Sequence, residues 1–379
     1  MKKCLLLITI LGIWLFSVGV SQGIEPIKIG GIFSLTGPGA HIGVAQKNSV
    51  LIGIDEFNEK GGFKGRPVEM VLADDESDPT KAVMVFKKMI ESQPIVALIG
   101  PTRTDTGMAL VPILEKEQIP AMMHAGGDVI VTPVRKWIFK APPRAADAMD
   151  RIFQYLKKHN LAKIGILHAS DGFGKDGAAI ADRVASKYGF EILAKETFDI
   201  KDVDMTAQLT RINAKNPQAI ICWTIGPPMG ITTKNVRSLG IKVPLFQCQG
   251  GAEPIFFKLA GDAAEGTMMP SCKLVVGDQL PDTDIQKKGI LEYVKKYESR
   301  FKETPGMMVC NGADGTYVLL EAIGKAGSDR SRIRDALEGI KGHVGLGGIY
   351  NLSPEDHVGT TVEDLVLVKA EKGKFRLVE

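Results

Sequence analysis

The residues of this chain that could do chemistry gather in short segments following apolar, β-branched runs. Gly100-Pro101-Thr102-Arg103-Thr104-Asp105-Thr106-Gly107 sets three hydroxyls and a guanidinium at the start of a helical pattern. Free N–H groups and the positive dipole end of a first helical turn suit an anion there. Thr104 or Asp105 can equally serve as a helix cap. The sharper expectation is that Thr104 and neighbouring N–H groups hold a ligand carboxylate, with Arg103 as a further partner and Thr102 beside them. His124-Ala125-Gly126-Gly127-Asp128 leaves backbone with little side-chain cover, either a tight turn or a place where a ligand closely approaches Ala125 and Gly127. A later series of such segments contains Asp171-Gly172-Phe173-Gly174, Trp223-Thr224-Ile225-Gly226 and Gln247-Cys248-Gln249-Gly250-Gly251. Phe173 and Trp223, aromatics at strand ends, are either core or a wall for an apolar ligand group.

Other chemistries lack residues. Gly37-Pro38-Gly39-Ala40-His41-Ile42-Gly43 has a G-x-G-x-x-x-G spacing where a dinucleotide fingerprint would lie, but Pro38 between the first two glycines speaks against NAD or NADP. Histidines 41, 124, 159, 168, 343 and 357 form no close metal spacing, and no serine sits in a G-x-S-x-G elbow. Cys222, Cys248, Cys272 and Cys310 contain no C-x-x-C, so neither a zinc site nor a disulfide scaffold is expected. Cys222 with Cys248 is the one candidate bridge, because both end neighbouring predicted strands. No catalytic residue, metal or cofactor is assigned, and a non-enzymatic protein is expected.

The elements that must position these loops alternate. Predicted strands at 27–33, 68–73, 95–99 and 121–123 are separated by helical patterns, the first marked by Val50, Ile54 and Phe57 and stopping at Gly61-Gly62. A second series has strands at 164–168, 191–197, 219–223, 245–247 and 266–270 with helices between them. This alternation signals βαβ units and an α/β fold of two doubly wound parallel sheets. Lys140-Ala141-Pro142-Pro143 can continue neither strand nor helix and is expected to cross between domains. Three helical segments near 284–302, 310–325 and 331–338 and two short strands near 363–369 and 374–378 follow.

Met1-Lys2-Lys3, an apolar run from Leu5 to Val20 and small residues Ser21 and Gly23 form an export signal, with the mature chain expected to start near Ile24. The run is shorter than the roughly 20 residues of a bilayer span. Cys4 precedes the run, so it is not placed to accept a lipid. Removing 23 residues from 379 leaves 356, enough for two domains. Lys2 and Lys3 go with the signal, so 45 of the 47 basic residues face 44 acidic ones, a net charge of +1 that argues against nucleic acid.

Phe57-Asn58-Glu59-Lys60-Gly61-Gly62-Phe63-Lys64-Gly65-Arg66 and Asp74-Asp75-Glu76-Ser77-Asp78-Pro79-Thr80-Lys81-Ala82, supported by Ser34-Leu35-Thr36-Gly37 and Ala264-Glu265-Gly266, carry a resemblance. Across essentially the whole mature chain, the sequence resembles the type I periplasmic solute-binding proteins of branched-chain amino-acid transporters. The resemblance implies two α/β lobes joined by three hinge crossings, 24–142 plus 273–345 and 143–272 plus 346–379, which close on a small ligand. It implies a monomer that hands a branched-chain or other hydrophobic amino acid to an ABC transporter permease. In the family, the position of Thr104 binds the α-carboxylate through a hydroxyl and nearby N–H groups, while Ala125 and Gly127 lie in a backbone segment that meets carboxylate and ammonium. Gly127 stands where threonine is common, Phe173 where a tyrosine often covers the ligand, and Ile42 where an aromatic is usual. Gln249 occupies the position of an acid that pairs with the ammonium, so an amine-free aromatic or aliphatic acid is the alternative ligand unless Glu253 or Asp128 restores the charge. A ligand sensor and an NADP-dependent enzyme are the further alternatives.

Overall fold

A computed structural model of the chain describes residues 25–378; the export signal expected over 1–23 lies outside the described residues. The first lobe runs β1 (Ile27–Phe33), α1 (Ala40–Glu59), β2 (Val68–Asp74), α2 (Pro79–Ser92), β3 (Leu98–Ile99), α3 (Thr104–Glu117), β4 (Ala121–Met123) and β5 (Ile138–Lys140). Its five strands lie in the order β2-β1-β3-β4-β5, all parallel. The β1 strand buries apolar side chains on both faces because it feeds two cores. Ile27, Ile29 and Phe33 join Val50 and Ile54 on one side, and Ile32 joins Phe86, Leu110 and Leu114 on the other.

The second lobe repeats the scheme with α4 (Ala145–Lys158), β6 (Lys163–Ala169), α5 (Gly172–Tyr188), β7 (Glu191–Phe198), α6 (Thr206–Asn213), β8 (Ala219–Trp223), α7 (Pro227–Ser238), β9 (Leu245–Gln247), α8 (Pro254–Ala260) and β10 (Met268–Cys272). Three helices follow, α9 (Lys287–Phe301), α10 (Met307–Ala326) and α11 (Arg330–Glu338), then a ribbon of β11 (His343–Val344) and β12 (Ile349–Tyr350), and finally β13 (Leu365–Glu371) and β14 (Lys374–Leu377). The second sheet has the order β14-β13-β10-β9-β8-β6-β7, with β13 and β14 added antiparallel at one edge of a parallel core.

The chain passes between the lobes three times: after β5, between β10 and α10, and before β13. Ile290, Tyr293 and Tyr297 of α9 share a core with the second sheet, whereas Val318, Leu319 and Ile323 of α10 share one with β1. Gly312 lets α10 lie close to α1, because a Cβ there would stand 2.2 Å from the Ser49 Oγ. That approach brings the start of α10 to the gap between the lobes.

Two sequence expectations need correction. Lys140 ends a strand, β5, so the first crossing begins only at Ala141; the three-residue strand gives too short an apolar run to stand out beside the prolines. Cys222 and Cys248 are free, buried thiols. Cys222 donates to the Thr232 Oγ1 at 3.4 Å and Cys248 to the Thr224 carbonyl at 2.9 Å. Neighbouring strands did not aim the two sulfurs at each other.

Candidate functional site

Loops after the strands of both sheets face one another across a small cavity. The cavity has a volume of only about 30 Å³. That is room for about two waters, so the lobes must part to admit a ligand.

The glycines that resemble a dinucleotide fingerprint have another use. A Cβ on Gly43 would stand 2.1 Å from the Ser34 carbonyl oxygen, and Gly174 repeats the relation at 2.1 Å from that of Ala169. In each lobe this glycine packs the first turn of a helix onto the end of its strand, and so fixes the loop beside the cavity.

The first lobe contributes Ile42, Thr102, Arg103, Thr104, His124 and Gly126 to the wall. The α3 helix starts at Thr104 with Arg103 at the N-cap, and no side chain caps it. Thr104 and Asp105, either of which might have closed this end, are turned to other work. The Thr104 Oγ1 accepts the Gly127 N–H at 3.1 Å, and an Asp105 oxygen accepts the Gly172 N–H of the opposite lobe at 3.0 Å. Thr102 accepts the Ser34 N–H through its hydroxyl at 3.1 Å, which keeps its proton free to donate. Gly127 is explained by Thr104: a Cβ at 127 would lie 2.7 Å from the Thr104 methyl, so a threonine at both positions would not fit.

The second lobe contributes Asp171, Phe173, Ile225, Gln249 and Gly250, and the start of α10 adds Met307, Met308 and Asn311. Asp171 caps α5 by accepting the Gly174 N–H at 2.8 Å, and its other oxygen accepts from the Arg103 guanidinium at 3.1 Å. The Arg103 side chain is 8% exposed. Arg103 to Asp171, Gly172 to Asp105 and the Asp128 N–H to Asp176 at 2.6 Å all join one lobe to the other. Arg103 has five N–H donors, so it can hold Asp171 and an anion in the cavity together.

Of the residues expected at the site, Ile42, Thr102, Arg103, Thr104, Phe173 and Gln249 line the cavity, and Ala125, Gly127 and Trp223 do not. Ala125 is fully buried, and Gly127 lies behind Thr104. Trp223 is fully buried beneath Phe173, the rings stacked with centroids 5.7 Å apart. As the last residue of β8 its side chain follows the strand's alternation into the core, and Phe173, on a helix start, is the ring that meets the cavity.

Asp171, His124, Asn311 and the two methionines were not foreseen as wall residues. Asp171 and His124 stand in loops that were singled out, but the α10 residues carry no local signal. Burial pushes the His124 pKa down to about 3, so its ring is neutral. Neither ring nitrogen has a hydrogen-bond partner, nor does the Gln249 Oε1, although both residues are almost wholly buried.

The acids that could have replaced the charge missing at Gln249 are committed elsewhere. Asp128 accepts from the Lys140 ammonium at 3.2 Å and from the Ala145 and Ala146 N–H groups that open α4. Glu253 accepts the Met308 N–H at 2.5 Å and borders a separate groove with His41. Desolvation raises the Glu253 pKa from 4.5 to about 8. The folded chain therefore holds a proton that the unfolded chain releases, so stability contributed by this group is complete below pH 4.5 and is lost as the pH rises toward 8. Melting curves between those limits should show this loss, and Glu253→Gln, which cannot ionise, should flatten it.

Two α/β lobes that shut a small cavity, with an uncapped helix start on one side and apolar side chains around it, define a solute-binding protein of the periplasmic kind. The chain belongs to the periplasmic binding protein family, in its type I branched-chain amino-acid group; the family's sequence model matches residues 26–374. The chain is 22% identical over 333 residues to the leucine-, isoleucine-, valine-, threonine- and alanine-binding protein of Pseudomonas aeruginosa, covering 84% of this chain and 83% of that one. An extracellular ligand-binding receptor from Rhodopseudomonas palustris superposes with a TM-score of 0.86 at 27% identity, covering 93% of this chain and 100% of that one. A leucine-binding protein of Thermotoga maritima shares the fold with a TM-score of 0.82 at 22% identity, over 93% and 98% of the two chains.

Proposed function

We propose that the protein is exported to the periplasm, captures a small carboxylate with an apolar body by closing its lobes, and delivers it unaltered to an ABC permease. The observation that carries this reading is Thr102-Arg103-Thr104 at the uncapped start of α3, facing Ile42, Phe173, Ile225, Met307 and Met308. The two hydroxyls, the guanidinium and the helix N-terminus bind the carboxylate. Ile42, Phe173 and the methionines enclose the apolar body, with Trp223 supporting the Phe173 ring. Ala125 and Gly127 act from behind, by shaping the backbone against Thr104. Opening and closing is a hinge motion at the three crossings.

A hydrophobic amino acid is the second reading, favoured by Asp171, whose carboxylate lines the cavity and could face an ammonium group. Calorimetric titration with leucine, valine, isocaproate and benzoate tests the main reading. One or more of these acids should bind with unit stoichiometry, and its methyl ester at least about tenfold more weakly, because a charge-assisted contact is lost. Equal binding of acid and ester, or no binding of any acid, would refute it.

A further inference from the structure

We propose that the cavity selects a carboxylic acid that also carries an uncharged hydroxyl or carbonyl group, hydrogen-bonded by His124 and Gln249, over the corresponding amino acid. This rests on the carboxylate-binding reading above and adds a second polar contact to it.

His124 and Gln249 are 2% and 4% exposed, and both line the cavity, one from each lobe. Both His124 ring nitrogens and the Gln249 Oε1 lack partners. A buried polar atom without a partner is costly to keep, and such atoms are uncommon away from places where something else satisfies them. Gly315 lets α10 pack closely on the imidazole: a Cβ there would come within 2.9 Å of the His124 Nε2. The neutral imidazole offers one donor and one acceptor, and the Gln249 Oε1 one more acceptor. A ligand hydroxyl can donate to either acceptor and accept from the ring N–H. A ligand carbonyl can accept from that N–H.

An ammonium group fits this set poorly. It needs a compensating anion when buried, and the charge of Asp171, the acid in the wall, is already balanced by the Arg103 guanidinium at 3.1 Å. Placed there, an ammonium would also stand against the guanidinium. Asp128 and Glu253 are turned to Lys140 and Met308. The neutral groups that remain suit a neutral substituent.

The test is calorimetric, with two isosteric sets: isocaproate, α-hydroxyisocaproate, α-ketoisocaproate and leucine, and benzoate with para-hydroxybenzoate. In the wild type a hydroxy or keto acid should bind at least about tenfold tighter than its bare parent and than leucine. His124→Phe should reduce that preference to within about threefold, with a cooperative melting transition as the check on folding. Gln249→Glu, which supplies the missing charge, should improve leucine binding by about tenfold or more, a gain that misfolding cannot produce. Bare acids binding as tightly as substituted ones, or leucine binding tightest in the wild type, would overturn the inference while leaving the carboxylate reading intact. Failure of every acid to bind would overturn both.

Discussion

Arg103→Met should weaken binding of the preferred acid by a factor between about thirtyfold and several thousandfold, the equivalent of about 2–5 kcal/mol for truncating one partner of a desolvated, hydrogen-bonded charge pair. The effect has two sources. One is the lost contact to the ligand carboxylate. The other is Asp171, left on the cavity wall with only the Gly174 N–H for company. The double variant Arg103→Met with Asp171→Asn removes the second source. If Arg103 binds ligand directly, calorimetry of the double variant should still show most of the loss. If the double variant recovers wild-type affinity, Arg103 serves only to neutralise Asp171 and to tie the lobes together.

Asp128→Ala should destabilise the fold by about 3–5 kcal/mol, because it leaves a buried ammonium unpaired. Lys140 is fully buried, and its ammonium otherwise bonds only the Pro142 and Pro143 carbonyls of the first crossing. The same substitution strips two N–H groups at the start of α4 of their acceptor. For lobes of this size the melting temperature should fall by roughly 6–20 °C. Adding Lys140→Met should restore part of the loss, since removing both charges is milder than stranding one. A melting temperature unchanged by Asp128→Ala would show that the crossing does not depend on this pair.

The sheets were readable because parallel strands are buried on both faces. Ala219–Trp223 is a continuous apolar run and Ile27–Phe33 is one broken only by Lys28, and the structure gives both the bounds that their composition marks. The β5 strand escaped because three residues beside a proline-rich crossing make no pattern. The same logic divides the site. Thr102, Arg103, Thr104, Phe173 and Gln249 follow strand ends directly, where local sequence decides position, and they line the cavity. Trp223 misled because the final residue of a strand still obeys its alternation. Met307, Met308 and Asn311 arrive from a helix just over 200 residues beyond Thr104, placed by packing of α10 on α1, which no local pattern encodes. The acid at the cavity was also missed. Asp171 has the sequence signature of a helix cap and does cap α5, but its second oxygen reaches across to Arg103.

The most direct test of the central claim is a crystal structure of the protein with the acid that calorimetry finds tightest. The ligand carboxylate should lie between the lobes, with its oxygens about 2.7–3.2 Å from the Arg103 guanidinium and the Thr102 or Thr104 hydroxyl and its apolar part against Ile42 and Phe173. A ligand bound outside this cavity, or one whose carboxylate turns away from the start of α3, would contradict the account.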